Sequence, residues 1–92
     1  MAEVNELIED LADDDSAKQA AAVEQLVALG PEALGDLSAA LQNGSPVRRQ
    51  GAAVAMGRIG DAAAVEALQG ALDDSDENVK KAAAWALKKL GA

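Results

Sequence analysis

A step of 19 residues from a leucine to a glycine recurs three times in this 92-residue chain: Leu11 to Gly30, Leu41 to Gly60 and Leu72 to Gly91. A fixed period marks a chain assembled from repeated supersecondary units, and it limits the fold more than any single motif does. Setting the three glycines in register also aligns Leu29, Ile59 and Leu90, and Leu26, Met56 and Leu87. Upstream, Leu7, Leu37 and Leu68 align, as do Val4, Leu34 and Val65. Successive units are spaced by 30 and then 31 residues, the extra one falling in Gly60-Asp61-Ala62-Ala63-Ala64. The chain reads as one domain of three units, about 1–30, 31–60 and 61–92.

Each unit predicts two helices. Val4, Leu7 and Leu11, with their counterparts Leu34, Leu37, Leu41 and Val65, Leu68, Leu72, repeat at i, i+3 and i+7. That is one face of a helix, not the alternation of a strand. The second helices carry Val23, Leu26 and Leu29, then Ala53, Met56 and Ile59, then Ala84, Leu87 and Leu90. Ala22, Ala52 and Ala83 beside them let neighbouring helices approach. Ser16-x-x-Gln19 has the form of a capping box, and Ser45-Pro46 that of an N-cap before a first-turn proline. Asp76 is a candidate cap, and Gly30, Gly60 and Gly91 stand where helices stop. Helices are expected near 2–12, 17–29, 31–42, 46–59, 62–72 and 77–90.

Composition narrows the chemistry. There is no cysteine, histidine, tyrosine or phenylalanine, and Trp85 is the single aromatic. A nucleophile needs a base within hydrogen-bond reach. The four serines are better used as caps (Ser16, Ser45), a turn residue (Ser75) and an exposed helical position (Ser38). No catalytic residue, metal site or cofactor is expected. The runs Asp13-Asp14-Asp15 and Asp73-Asp74-Ser75-Asp76-Glu77 lack the alternation and bend glycine of a calcium loop, and read as acidic caps that suit a helix dipole. The net charge of −8 opposes binding to nucleic acid. No apolar run is long enough for a membrane span, and the acidic start is unlike a targeting peptide, so a cytoplasmic chain is expected.

Unit three, with Asn78-Val79-Lys80-Lys81-Ala82-Ala83-Ala84-Trp85-Ala86-Leu87 and Leu90-Gly91, resembles the short HEAT-like repeat found in phycobilin lyases and many bacterial and archaeal proteins. Unit two matches through Val47-Arg48-Arg49, Ala52-Ala53, Met56-Gly57 and Ile59-Gly60-Asp61, with one residue more than the pattern between its valine and its terminal glycine. Unit one matches weakly, Ala17-Lys18 standing where Val-Arg is expected. The resemblance implies an all-α, right-handed αα-superhelix of three hairpins and six helices. First helices would form its convex side and second helices its concave side. It also implies a scaffold, since members range from bilin lyase subunits to adaptor domains.

All eight basic residues lie in second helices: Lys18, Arg48, Arg49, Arg58, Lys80, Lys81, Lys88 and Lys89. Lys18, Arg48 and Lys80 stand where the family's repeated arginine pairs with turn aspartates. Arg58, Lys88 and Lys89 suit the dipole of a last turn. Trp85 is about 200° round its helix from the core residue Leu87, on a face with Lys81 and Lys88, and it aligns with Val54. The expected function is non-catalytic binding of a protein or peptide, with Val54 and Trp85 as apolar anchors and Arg49, Lys81 and Lys88 steering an acidic partner. The rivals are an accessory subunit of a bilin lyase-like enzyme and a designed or excised repeat scaffold without native function. Ile8 and Val27 stand where later units have Ser38 and Gln69, Gly57 and Lys88. They would seal the first hairpin of a monomer or support weak self-association.

Overall fold

The computed structural model describes residues 3–92. Every regular element in it is helical: α1 Val4–Asp10, α2 Ser16–Leu29, α3 Leu34–Asn43, α4 Pro46–Ile59, α5 Val65–Ala71 and α6 Glu77–Lys89. The expected start of the first helix at Ala2 lies outside the described residues. The helices expected over 31–42 and 62–72 each divide. A turn of 3-10 helix, Gly30–Ala33 or Ala62–Ala64, precedes α3 and α5. Ala33 and Ala64 sit at the division with ψ of −7° and −14°, and both are buried. The tight turn packs these small side chains inward, and α-helix begins at Leu34 and Val65, the counterparts of Val4.

Local chemistry explains the other ends. Ser45 Oγ accepts from the Arg48 N–H, and Asp76 accepts from the N–H groups of Asn78 and Val79. The expected capping box at Ser16 and Gln19 does not form, because the helix is capped one residue earlier. Asp15 is the cap, its carboxylate accepting from the Ala17 N–H. Gln19 instead donates its amide to the Asp13 carbonyl. Gly30, Gly60 and Gly91 have φ of 66°, 76° and 77°, a region nearly closed to residues with a Cβ.

The hairpins α1–α2, α3–α4 and α5–α6 stack so that α3 lies between α1 and α5, and α4 between α2 and α6. Two layers enclose an aliphatic core. Leu26, Leu37, Met56, Leu68 and Val79 are fully buried, each large side chain contributing about 1.5–3 kcal/mol. The layering corrects two expected core positions. Leu72 is 40% exposed, and Ala84 is exposed, although their counterparts Leu41 and Ala53 are buried. Leu41 and Ala53 lie in hairpins with a neighbour on each side. The hairpin of Leu72 and Ala84 packs against α3 and α4 on one side.

Candidate binding surface

The exposed side of the second-helix layer begins with a misplaced valine. Val47 is 46% exposed, whereas Val79, its match in the family pattern, is buried. Counting back from the terminal glycines, Val79 aligns with Arg48, not Val47. The additional residue in unit two turns Val47 outward by about 100°. The Arg48 stem takes the inner position and packs on Gly44, where a Cβ would stand 2.6 Å from Arg48 Cδ. Among the described residues Arg48 therefore makes no turn ion pair, and its Nε is buried without a hydrogen-bond partner.

Val47 lines an open groove of about 270 Å³ between α2 and α4, together with Leu11, Gln19, Val23, Gln50 and Val54. Val54, an expected anchor, is half-buried on this groove. Trp85, the other, is 40% exposed and sits one helix further along. Its Cζ3 lies 2.9 Å from the point where a Cβ on Gly57 would stand. Trp85 thus rests on α4 at Gly57, three residues from Val54. Lys89 crosses the ring, its Nζ 5.9 Å from the centroid.

Arg49 does not stand free to steer a partner. Its Nε and Nη2 each donate to Asp74 at 2.9 Å, and Nη1 donates to the Gly44 carbonyl at 2.8 Å. Both side chains are largely covered, at 16% and 12% exposure. Asp74 also accepts from the Asp76 N–H, so the pair ties the α3–α4 turn to the cap of α6. The Arg49 hydrogen bonds hold the Asp74 carboxyl below its usual range, helped by the Asp76 N–H, while burial opposes the shift. The same partner raises the Arg49 pKa. Arg49 takes the turn-pairing role that the pattern assigns to Arg48. The signal lay in the register, since Arg49 and Lys80 both precede their glycines by 11 residues.

The remaining cations divide. Lys18 pairs with Asp13 at 3.6 Å, Arg58 with Glu24 at 2.8 Å and Lys80 with Glu77 at 3.5 Å. The Arg58 contact lowers the Glu24 pKa. Lys81, Lys88 and Lys89 are exposed and make no ion pair within 4 Å among the described residues. Lys89 is the residue of this cluster that the sequence pattern did not single out. Ile8 and Val27 are both half-buried, and Ile8 packs on the core.

Five of the turn aspartates, Asp13, Asp15, Asp61, Asp74 and Asp76, act as side-chain hydrogen-bond acceptors. Asp13 accepts from the Asp15 N–H and Asp61 from the Ala63 N–H, as Asp15 and Asp76 do at their helices. Among the described residues no three acidic side chains converge as a metal ligand set. No helix of the structure is long and apolar enough to cross a membrane.

The stacked hairpins agree with a family model for HEAT repeats, which matches residues 4–91. The chain belongs to the HEAT repeat family. HEAT repeats in general form a non-catalytic scaffold that mediates contacts between proteins. No curated protein matches this HEAT chain.

Proposed function

We propose that the chain is a non-catalytic protein-binding module that presents the second-helix layer as the concave side of a short right-handed αα-superhelix. The observation that carries this reading is the exposed apolar series on that layer. Val47 and Trp85 are two of the three large apolar side chains exposed to this degree among the described residues, and Val54 lies between them on the groove wall. Helix caps and core packing account for most of the leucines and aspartates. They do not account for a tryptophan laid across a glycine with much of its ring in solvent. Tryptophan is enriched among residues that dominate binding energy. Gly57 holds it by close backbone approach, so little side-chain entropy remains to be lost on binding.

The test compares wild type with Trp85→Ala for thermal stability and for proteins retained on the immobilised chain. Partners retained by wild type and lost from a folded Trp85→Ala variant support the surface. Reduced stability with unchanged retention would show that Trp85 only closes α6 against α4.

A further inference from the structure

The cations of this molecule are used unevenly, and the unevenness describes the partner. The charge is −8 overall, yet α6 carries Lys80, Lys81, Lys88 and Lys89 against the single acid Glu77. Lys18, Arg49, Arg58 and Lys80 are engaged by acids of the same chain, and Arg48 is folded inward on Gly44. The other three, Lys81, Lys88 and Lys89, stand at i−4, i+3 and i+4 from Trp85, positions that share its face of the helix. In a chain this acidic, three lysines with no acidic partner among the described residues, grouped round the exposed tryptophan, form a local reversal of field. Dipole stabilisation accounts for Lys88 and Lys89 in the last turn, but not for Lys81 in the first half of α6.

The second part of the surface is apolar. The Val23–Val47–Val54 groove lies one helix away, and neighbouring helices pack about 8–10 Å apart. A polyproline-II segment advances about 9 Å in three residues and returns to the same side, at ~3.1 Å per residue. One side chain can then enter the groove while the side chain three residues along reaches the lysines. Resting on the reading of this layer as the binding surface, we propose that its occupant is an extended acidic peptide segment. An apolar side chain fills the Val23–Val47–Val54 groove, and a carboxylate about three residues away meets Lys81 and Lys88 beside Trp85. Gln50, on the groove wall, offers an amide to the backbone between them.

The probe is a short fluorescein-labelled, proline-rich peptide with leucine and glutamate three residues apart, following the polyproline-II period. Its controls carry lysine for glutamate, or serine for leucine. Binding is read by anisotropy at two salt concentrations. The glutamate peptide is expected to bind at least about tenfold more tightly than the lysine peptide, a difference that salt reduces. The double variant Lys81→Glu, Lys88→Glu alters only exposed side chains and should abolish that preference with the fold intact. Equal binding of the two peptides, indifference to the charge reversal, or no binding of either peptide overturns the proposal. If both peptides bind alike and both are lost with Trp85→Ala, the acidic partner falls while the binding surface stands. If binding ignores Trp85 and Val54 altogether, the surface falls too. Self-association of wild type that disappears in the charge-reversed variant would give the site to a second copy, and would also overturn it.

Discussion

At the junction of units two and three, α4 presents Gly57, and Ala86 of α6 comes so close that a Cβ there would lie 2.8 Å from its own. At the junction of units one and two, the counterparts are Val27 on α2 and Ala55 on α4. Glycine against alanine is thus replaced by valine against alanine. The first pair of helices makes the most extensive contact in the molecule. The second leaves the open groove beside Val23 and Val47. The polar ties differ in the same direction. Arg49 and Asp74 bridge the later junction through a largely covered bidentate pair. Their counterparts at the earlier one are Gln19 and Asn43, and Gln19 turns back to the Asp13 carbonyl of its own unit. Among the described residues the ion pair that crosses there is the solvent-facing Arg58–Glu24, and exposed pairs contribute little. One sequence pattern thus yields a closed junction and an open one, and the proposed binding surface spans both.

The largest effect is expected from closing the space at Gly57. Alanine in place of a helical glycine normally stabilises by up to about 1 kcal/mol. At Gly57 the new methyl would meet the Ala86 Cα at 2.9 Å as well as its Cβ, and backbone cannot swing aside. Gly57→Ala is therefore expected to destabilise by about 1–3 kcal/mol. Gly35→Ala on α3, where nothing lies within 4 Å, should stabilise. Urea unfolding of the two variants checks the contrast. Stabilisation by both would mean that the α4–α6 contact is not the close approach described.

Arg49→Ala ranks next and should cost clearly more than Arg58→Ala, because it strands a covered carboxylate while the other frees an exposed one. The pH dependence separates them further. Arg49 lowers the Asp74 pKa. A carboxylate with a depressed folded pKa adds stability above its unfolded value of about 4, and loses it as pH falls through the folded value. The difference between wild type and Arg49→Ala should be full at neutral pH and shrink below about pH 4. Taking the difference removes the opposing relief of self-repulsion as the −8 charge is titrated. A gap that stays constant into acid would assign the loss to the Arg49 stem.

Much of this was legible in the sequence because the repeat fixes the average unit. The 19-residue step located every helix pair, and Leu26, Met56 and Leu87 entered the core as the register requires. What escaped was set by departures from the average. The additional residue in unit two moved Arg49 into the turn-pairing position and Val47 into solvent, so one expected steering residue became a structural tie and the valine matched to the family pattern became surface. Ala84 and Leu72 were read as core by analogy with residues that have a neighbour on each side. Periodicity carries no information on which units have such neighbours. Trp85 was singled out by its chemistry and its helical register, and its seat on Gly57 depends on a contact across helices that no local pattern encodes.

The smallest effect tests whether the comparison rests on the named residues. If the later junction is tied by Arg49 and Asp74, the earlier one can be tied by placing the same pair at the counterpart positions, as Gln19→Arg with Asn43→Asp. Neither change alone should help, since the first gives up the amide bond to Asp13 and the second adds a carboxylate to a chain already at −8. Together they are expected to stabilise by about 0.2–1 kcal/mol, the range of a partly exposed pair, with a coupling that a double-mutant cycle reads directly. A coupling near zero would mean that the open groove keeps α2 and α4 too far apart for the tie to form. The difference between the junctions would then lie in helix spacing set by Val27 and Gly57, with the ion pair a consequence of closeness and not its cause.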